Sequence, residues 1–169
     1  MTSQDQDLWG VRPGETTTEL PEAHDAGLHF IGHIRTPWTQ REDCPKNGGE
    51  SEEVCTIEVF APFAAGLQGV DTCTHLWVLY WMDRARRDLV VQVPRHYGVA
   101  RGTFALRSPA RPNPIALSAV RLLRVEGAIL KVRGLDCLDG TPLLDLKPYF
   151  ASTDSIPDAS VGWHAARGT

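Results

Sequence analysis

The sequence predicts an all-β fold, either a barrel or a sandwich. From Leu28 onward, short strand-like segments recur between clusters of glycine, proline and aspartate. Helical patterns are scarce, and 42% of the 169 residues are hydrophobic, which is enough to form the core of one domain. Many short strands divided by turn residues are typical of barrels and sandwiches.

Each strand-like segment is rich in β-branched, aromatic or aliphatic residues and is bounded by turn residues. Two further segments, residues 62–70 and 82–90, have the composition of short helices. The predicted strands are LHFIGHIR (28–35), CTIEVF (55–60), THLWVLYWM (74–82), GTFALR (102–107), IALSAVRLL (115–123), ILKVRGL (129–135) and PLLDLKPYF (142–150).

The two ends of the chain differ from this body. Residues 1–27 are acidic, rich in glycine, proline and threonine, and without periodicity, so we expect a flexible N-terminal arm. We assign the barrel domain to residues 28–158 and a polar C-terminal tail to residues 159–169. Ile156 and Trp163 are the residues near that end that can pack back onto the body.

Composition narrows the class of protein. The net charge of −4 gives no overall basic field, so any contact with nucleic acid requires a local basic patch. The four cysteines are widely spaced, which predicts reduced thiols, and no histidine lies at a metal-ligand interval from another ligand. The longest apolar run, from Leu76 to Met82, is too short to span a membrane. We therefore expect a soluble, cytoplasmic protein without a metal.

The segment RSPARPNPIALS, from Arg107 to Ser118, has three prolines and two arginines ahead of an apolar strand. Proline fixes φ and removes a backbone donor, so this segment is predicted to be extended or turned, and stiff. An arginine on a stiff loop loses little entropy when it binds a ligand. Arg107 and Arg111 are therefore candidate binding residues, unless the loop is only a connection and both face water.

The segment GLDCLDGTPLLDLKPYF, from Gly134 to Phe150, is a turn followed by a strand. The strand alternates, which predicts Leu144, Leu146 and Phe150 on the core side. Asp136 and Asp139 flank the turn and can meet Arg107 or Arg111 if the two loops converge. The polar side of the strand is either a solvated face or a functional one, and it carries Asp145, Lys147 and Tyr149.

The aromatic strand THLWVLYWM places Trp77 and Trp81 on one face and Tyr80 on the other. It has more apolar surface than one side of a thin barrel needs, so we expect part of it to be buried between the subunits of a homodimer. A platform that stacks bases is the alternative use of these rings.

Four segments, in this order and spacing, resemble the TsaA-like (YaeB, TrmO) family of tRNA methyltransferases. The likeness covers roughly residues 28–158, and the patterns RSP-x-RPNPI and D-x-LDGTP-x-x-D-x-KPY are its most specific parts. The four segments are IGHIRTPW (31–38), THLWVLYWM (74–82), GTFALRSPARPNPIALSAVRLL (102–123) and GLDCLDGTPLLDLKPYF (134–150).

The resemblance implies a small antiparallel β-barrel with short helices and extended loops, a homodimer, and S-adenosyl-L-methionine as cofactor. It implies transfer of the methyl group to threonylcarbamoyl-adenosine beside the anticodon of a tRNA substrate. We expect no counterpart here of the C-terminal domain that some members carry. Matched position by position, the cofactor-binding residues implied are Asn47, Gly48, Asp83, Arg84, Arg107, Leu117, Leu135 and Asp136.

The methyl donor is already activated, so the chain needs to align donor and acceptor rather than supply a nucleophile. A carbamoyl-substituted nitrogen is a poor nucleophile until its proton leaves, which makes Asp145 or Tyr149 a candidate base and Lys147 a stabiliser of negative charge. The alternative is that these three residues brace the cofactor loop.

Two other functions are compatible with the sequence: a sensor that binds the cofactor without catalysis, and a methyltransferase for a small molecule or another RNA. A local basic surface would favour a tRNA substrate, whereas a merely solvated basic segment would not. The candidate surface consists of Arg84, Arg86, Arg87, Arg95, His96 and Arg101.

Overall fold

The computed structural model describes residues 10–20, 22, 27–95 and 97–165. This part of the chain contains nine strands, with short helical segments between some of them. The strands are β1 (Thr16–Thr17), β2 (Gly32–Arg35), β3 (Cys55–Val59), β4 (His75–Trp81), β5 (Leu89–Gln92), β6 (Arg101–Gly102), β7 (Ile115–Glu126), β8 (Ile129–Arg133) and β9 (Thr141–Pro148). The helices are α1 (Ala151–Asp154) and α2 (Gly162–Ala165), with 3-10 turns at Arg41–Asp43, Gly48–Glu50, Ala61–Leu67, Val70–Thr72 and Thr103–Ala105.

Six strands close into an antiparallel barrel in the order β2-β3-β8-β7-β4-β9. This confirms the expected small antiparallel barrel with short helices and extended loops. Its longest ladder joins β4 to β7, from His75 opposite Arg121 to Trp81 opposite Ile115. β9 completes the barrel by pairing with β2 through its first residues and with β4 through its later ones.

The alternation of apolar residues fills the barrel. On β3, Cys55, Ile57 and Val59 are buried while the residues between them are partly exposed, as a strand with one face on the core requires. On β4, Leu76, Val78 and Tyr80 point inward and the two tryptophans are outside, as predicted. Among these inward residues, Tyr80 is the one that brings a polar group into the core.

A second sheet has three strands in the order β1-β5-β6, and the N-terminal segment supplies its strand β1. Thr16 lies opposite Val91, and the side chain of Glu15 is only 1% exposed. Glu15 accepts hydrogen bonds from Arg12 and from the backbone N–H of Val93. Residues 12–18 of the predicted flexible arm are therefore docked on β5, because their backbone and one buried carboxylate find partners there.

Two predicted elements are wrong. Residues 102–107 form no strand beyond β6 but a 3-10 turn at Thr103–Ala105, because the Thr103 side chain is buried and bonds the β5 backbone at Leu89. Residues 82–90 form a turn leading into β5 rather than a helix. The predicted helix at residues 62–70 is present as the 3-10 segment Ala61–Leu67.

The predicted alternation of β9 is correct only in part. The pairing with β4 shifts between Leu79, opposite Asp145, and Tyr80, opposite Leu143. This bulge puts two residues of β9 against one of β4, so the buried residue is Leu143 instead of Leu144, whereas Leu146 still packs against the core. Phe150 is 62% exposed, so the prediction that it belongs to the core is wrong.

Near the C-terminus, the two candidate packing residues behave differently. Trp163 packs against Tyr97 at a ring separation of 5.1 Å, and the guanidinium of Arg101 lies 5.4 Å from its ring centroid. Ile156 is 67% exposed and does not join the core. None of the helices in the described part of the chain is long and apolar enough to cross a membrane.

Candidate functional site

The antiparallel order brings the loops that carry most of the expected cofactor residues to one end of the barrel. The β2–β3 loop, the turn after β4, the loop before β7 and the β8–β9 loop all lie at this end. We call it the Asp136 end, after the carboxylate at its centre. Residues far apart in sequence meet here because neighbouring strands run in opposite directions.

Arg107 lies at the Asp136 end beside the first half of β7. From Ile115 to Val120, β7 pairs with β4 only, because its ladder with β8 starts at Arg121. The guanidinium of Arg107 donates a hydrogen bond of 2.8 Å to the carbonyl of Leu117 on this unpaired edge. Two residues expected to contact the cofactor are thus in direct contact with each other.

The loop that carries Arg107 is held rigidly, as its prolines predicted. Arg111 donates to the carbonyls of Thr103, Leu106 and Ser108, so its charge is used inside the loop instead of facing a ligand. The buried amide of Gln92 on β5 donates to the carbonyl of Ala110. These bonds fix the loop before any ligand arrives, which lowers the entropic cost of binding.

Asp136 is partly buried in the β8–β9 loop and points at the inside of the barrel end. Its Oδ1 accepts a hydrogen bond of 2.8 Å from the hydroxyl of Tyr80, which in turn lies 2.9 Å from the hydroxyl of Ser118. Burial raises the pKa of Asp136, while the bond from Tyr80 and the charge of Arg107 act to lower it. Arg107 and Asp136 therefore converge, whereas Asp139 pairs with Arg35 at 3.8 Å.

No ion pair involves Asp136 among the residues that the structure describes. A partly buried carboxylate is costly without a cation close by, and Arg107 is near enough to act on its pKa without an ion-pair contact. Such a group is suited to bind a cationic part of a ligand.

The loop with Asn47 and Gly48 packs against the same segment. Asn47 caps the 3-10 turn by accepting from the N–H of Gly49 at 3.0 Å. The backbone of Gly48 lies so close to Gly134 that an added Cβ would overlap the Gly134 carbonyl oxygen. Gly134 itself has a φ of 107°, a conformation that L side chains rarely adopt, so both glycines are required where the two loops meet.

The other expected cofactor residues differ in what they offer. The side chain of Leu135 is fully buried, so only its backbone can contact a ligand. Asp83 and Arg84 are exposed in the turn after β4, and no described hydrogen bond joins them to Arg107 or Asp136. The structure thus brings Gly48, Arg107 and Asp136 together and leaves Asp83 and Arg84 at the rim.

The candidate catalytic residues lie on the outside of the barrel, along β9. Asp145 and Lys147 form an ion pair of 2.8 Å, and the ring of Tyr149 lies 5.2 Å from that of Trp77. Asp145 is opposite Leu79, which is opposite Leu117, so two strand spacings, about 10 Å, separate Asp145 from Leu117. The candidate catalytic residues therefore lie on the same outer face of the barrel as Leu117. They do not belong to the loops around Asp136.

A cavity of about 360 Å³ lies away from the Asp136 end. Apart from the Asp145 carboxylate its lining is chiefly apolar, and Asp136 and Arg107 take no part in it. Its lining residues are Ile31, Val59, Pro62, Phe63, Gly66, Leu67, Asp145 and Leu146. We assign the functional site to the Asp136 end because charged and backbone groups converge there.

The arginines of the candidate basic surface are used in different ways. Arg86 makes a two-pronged contact with Asp88, at 2.7 and 2.6 Å, which neutralises its charge. Arg87 donates to the carbonyl of Pro112 and lies over the ring of Trp81 at 5.4 Å, so it remains a cation beside the Arg107 loop. His96 lies outside the described residues.

Sequence reasoning missed Tyr80 and Ser118 as parts of this site. A tyrosine that points into an aliphatic core needs a partner for its hydroxyl, and that requirement was the available signal. All four cysteines have free thiols, and burial raises the pKa of Cys55 to about 11. Within the described ranges, no three histidine, cysteine, aspartate or glutamate side chains are grouped to hold a metal ion.

Comparison with known proteins identifies relatives over this region. Residues 33–155 match the family model of the tRNA-methyltransferase O N-terminal domain. The chain is 49% identical over 138 residues to "Probable S-adenosyl-L-methionine-binding protein VirR" of Rhizobium radiobacter, covering 82% of this chain and 79% of that one. It is 37% identical over 144 residues to the tRNA (adenine(37)-N6)-methyltransferase of Escherichia coli, covering 79% and 61%.

A solved structure agrees with the sequence relatives. The crystal structure of TrmO from Pseudomonas aeruginosa matches with a TM-score of 0.70 and 33% identity, covering 84% of this chain and 64% of that one. The chain thus spans less than two thirds of the length of this TrmO and of the Escherichia coli enzyme. Since the family model covers most of the chain and the barrel matches TrmO, the chain belongs to the tRNA-methyltransferase O N-terminal domain family.

Proposed function

We propose that the protein binds S-adenosyl-L-methionine at the Asp136 end and methylates the threonylcarbamoyl-adenosine beside the anticodon of tRNA. The observation that carries the proposal is the partly buried Asp136 carboxylate, which has no ion pair with any described residue and lies next to the prearranged Arg107. Membership of the family and the name of the Rhizobium relative support the cofactor, and the name of the Escherichia coli relative supports methylation of adenine 37 of tRNA.

The residues at the Asp136 end fit this cofactor chemically. S-adenosyl-L-methionine has two cationic groups, an ammonium and a sulfonium, which a buried carboxylate such as Asp136 complements. It also has a carboxylate, which matches the guanidinium of Arg107, and an adenine, which backbone groups of the Asn47 and Leu135 loops can bind. Its sulfonium supplies a methyl group that needs no further activation.

The chain's own contribution is then alignment and proton removal. The rigid Arg107 loop orients the bound molecule, and the barrel end excludes water on the side of Tyr80. Asp145 or Tyr149 takes the proton of the acceptor nitrogen, and Lys147 stabilises negative charge at the carbamoyl group. The shared outer face of Leu117 and Asp145 supports this assignment; a brace beneath the cofactor loop is the other role open to the three residues.

The test of this function is methylation of threonylcarbamoylated tRNA with S-adenosyl-L-methionine, measured by mass spectrometry of the nucleosides. We expect methylated threonylcarbamoyl-adenosine with this tRNA and none with tRNA that lacks the threonylcarbamoyl group. Since tRNA is modified in the cytoplasm, we expect the protein there.

A second function has one observation in its favour. The chain covers 79% of the Rhizobium protein, which is named only for binding the cofactor, but 61% of the Escherichia coli enzyme. A sensor that binds S-adenosyl-L-methionine without transferring its methyl group is therefore the alternative. If the protein is such a sensor, it binds the cofactor but transfers no labelled methyl group to any tRNA. If it is a small-molecule methyltransferase, a labelled product forms only when a cell extract of metabolites is supplied.

Arg87 is the residue we expect to position the tRNA. Arg87→Glu should weaken tRNA binding roughly three- to tenfold and lower the slope of log affinity against log salt by about one or more, because a phosphate contact is lost. S-adenosyl-L-methionine affinity should fall by less than the tRNA affinity, because the bond from Arg87 to Pro112 is one of several that hold the Arg107 loop. Arg124→Glu, an exposed arginine near the end of β7, is the matched control, and an equal loss in both variants would exclude a specific role for Arg87.

We also propose a homodimer formed through the outer face of β4 and β7. Trp77, Leu79 and Trp81 pair there with Ala119, Leu117 and Ile115, which makes one continuous apolar surface. Leu117 and Ile115 are 41% and 42% exposed in the single chain, more than an outer strand needs.

Leu79→Glu is therefore expected to give a monomer in light scattering at micromolar concentration, while the wild type is a dimer. A buried, unpaired carboxylate at the interface is too costly to keep the dimer together. Leu123→Glu, an outward-facing leucine farther along β7, should remain dimeric. A monomeric wild type would exclude the proposed interface.

A further inference from the structure

We propose that Tyr80 and Ser118 are positioning residues that fix the Asp136 carboxylate for its cationic ligand, a role that rests on the proposed cofactor site. The tyrosine hydroxyl has one hydrogen, and it is donated to Asp136 Oδ1 at 2.8 Å. The 2.9 Å contact between Tyr80 and Ser118 must then use the hydrogen of Ser118. The three groups form a directed chain from Ser118 through Tyr80 to Asp136.

The position of these hydrogen-bonded groups in the barrel argues against a role in packing alone. Tyr80 is 3% exposed and Ser118 9% exposed, and the residues around them on β4 and β7, Val78 and Val120, are aliphatic. Phenylalanine and alanine would fill the same volume without two buried hydroxyls that need partners. The hydroxyls instead end at Asp136, a partly buried carboxylate that has no ion pair within the described part of the chain.

The neighbours of Asp136 leave Tyr80 as its principal hydrogen-bond donor. Burial raises the pKa of Tyr80, so its hydroxyl keeps the proton that it donates. The thiols of Cys44 and Cys137 also lie near Asp136, and burial raises the pKa of both, so they add no charge at neutral pH. Arg107 acts on the carboxylate by its charge. Loss of the Tyr80 hydroxyl therefore removes both an orienting bond and a stabiliser of the ionised form.

The experiment compares Tyr80→Phe and Ser118→Ala with the wild-type full-length chain. The first measurement is S-adenosyl-L-methionine affinity by titration calorimetry from pH 5 to pH 8. We expect about tenfold weaker binding by Tyr80→Phe at pH 7, as for loss of a hydrogen bond to a charged group, and a smaller loss by Ser118→Ala. The acid limb of the affinity profile should move to higher pH, which loss of packing would not produce.

The second measurement needs no cofactor. The Asp136 carboxyl carbon, followed by ¹³C NMR in the ligand-free protein, should titrate at higher pH in Tyr80→Phe than in wild type. Tyr97→Phe, the same change at a ring that packs on Trp163, should leave that titration unchanged. An unshifted Asp136 titration in Tyr80→Phe overturns the proposal.

The two measurements separate the two ideas. A wild type that binds no cofactor, with the NMR shift present, refutes the proposed function but keeps the Tyr80 bond to Asp136 as a real control of that carboxylate. Unchanged cofactor affinity in a folded Tyr80→Phe refutes the positioning role while leaving the proposed function intact. If Tyr80→Phe does not fold, Ser118→Ala gives the same two tests, and the absence of either shift in it overturns the proposal.

Discussion

Asp136→Asn is expected to weaken S-adenosyl-L-methionine binding by about 10- to 100-fold at pH 7, because a charge-assisted contact to the ligand's cation is lost. The wild-type affinity should also fall as pH drops through the raised pKa of Asp136, since the carboxyl then becomes neutral. That acid limb should be absent in Asp136→Asn. Calorimetric titrations of both proteins across the pH range provide the measurement.

The same change should not destabilise the fold. An aspartate whose pKa is raised on folding binds more protons in the native state, so its contribution to stability falls as pH rises from its ordinary value of 3.8 through the raised one. At pH 7 Asp136→Asn should therefore unfold at a temperature equal to or above that of wild type. Asp139→Asn, at an aspartate already paired with Arg35, should bind the cofactor normally. Equal affinities of Asp136→Asn and wild type would refute the site.

Gly48→Ala is expected to weaken cofactor binding by a comparable factor, about tenfold or more, for a geometric reason. The added Cβ would overlap the Gly134 carbonyl oxygen, so the Asn47 loop must move away from the segment that carries Asp136. A displacement of about 1 Å is enough to lose most of the benefit of prearranged groups. Affinity is measured by the same titration.

Gly66→Ala serves as the matched control, because a Cβ there meets nothing within 4 Å. It should bind the cofactor as wild type does. Unfolding curves of both variants show whether the loop alone has moved. Normal affinity in a folded Gly48→Ala would mean that the Asn47 loop takes no part in the site.

The barrel was predictable because its signal is local. The Cys55–Val59 strand, for example, alternates buried and partly exposed residues, and the turn-forming Pro62 follows within three positions of its end. The prolines around Arg107 likewise fix their own backbone, so the stiffness of that loop could be read from the sequence. The likeness to the family added the closed antiparallel topology, which local patterns leave open between a barrel and a sandwich.

What sequence reasoning missed depends on long-range geometry. The bulge opposite Leu79 and Tyr80 exchanges Leu144 for Leu143 in the core, and a register shift has no local signature in β9. Arg107 and Arg111 look equivalent in the sequence. In the folded loop, however, Arg111 donates to the loop carbonyls, whereas Arg107 lies beside Asp136. Residues 12–18 look like an arm because the partner of Glu15, the N–H of Val93, is 78 residues away.

The half of β7 that pairs on one side only has a consequence for how the protein opens and closes. Backbone groups held on one edge open at a lower free energy than strands held on both, so this part of the barrel is where local opening should begin. A ligand bound between Arg107 and Asp136 adds its binding free energy to the closed form alone. A higher cofactor concentration would thus make this part of the barrel open less often. The edge of β7 beside Leu117 would become more rigid as more of the protein is bound to the cofactor.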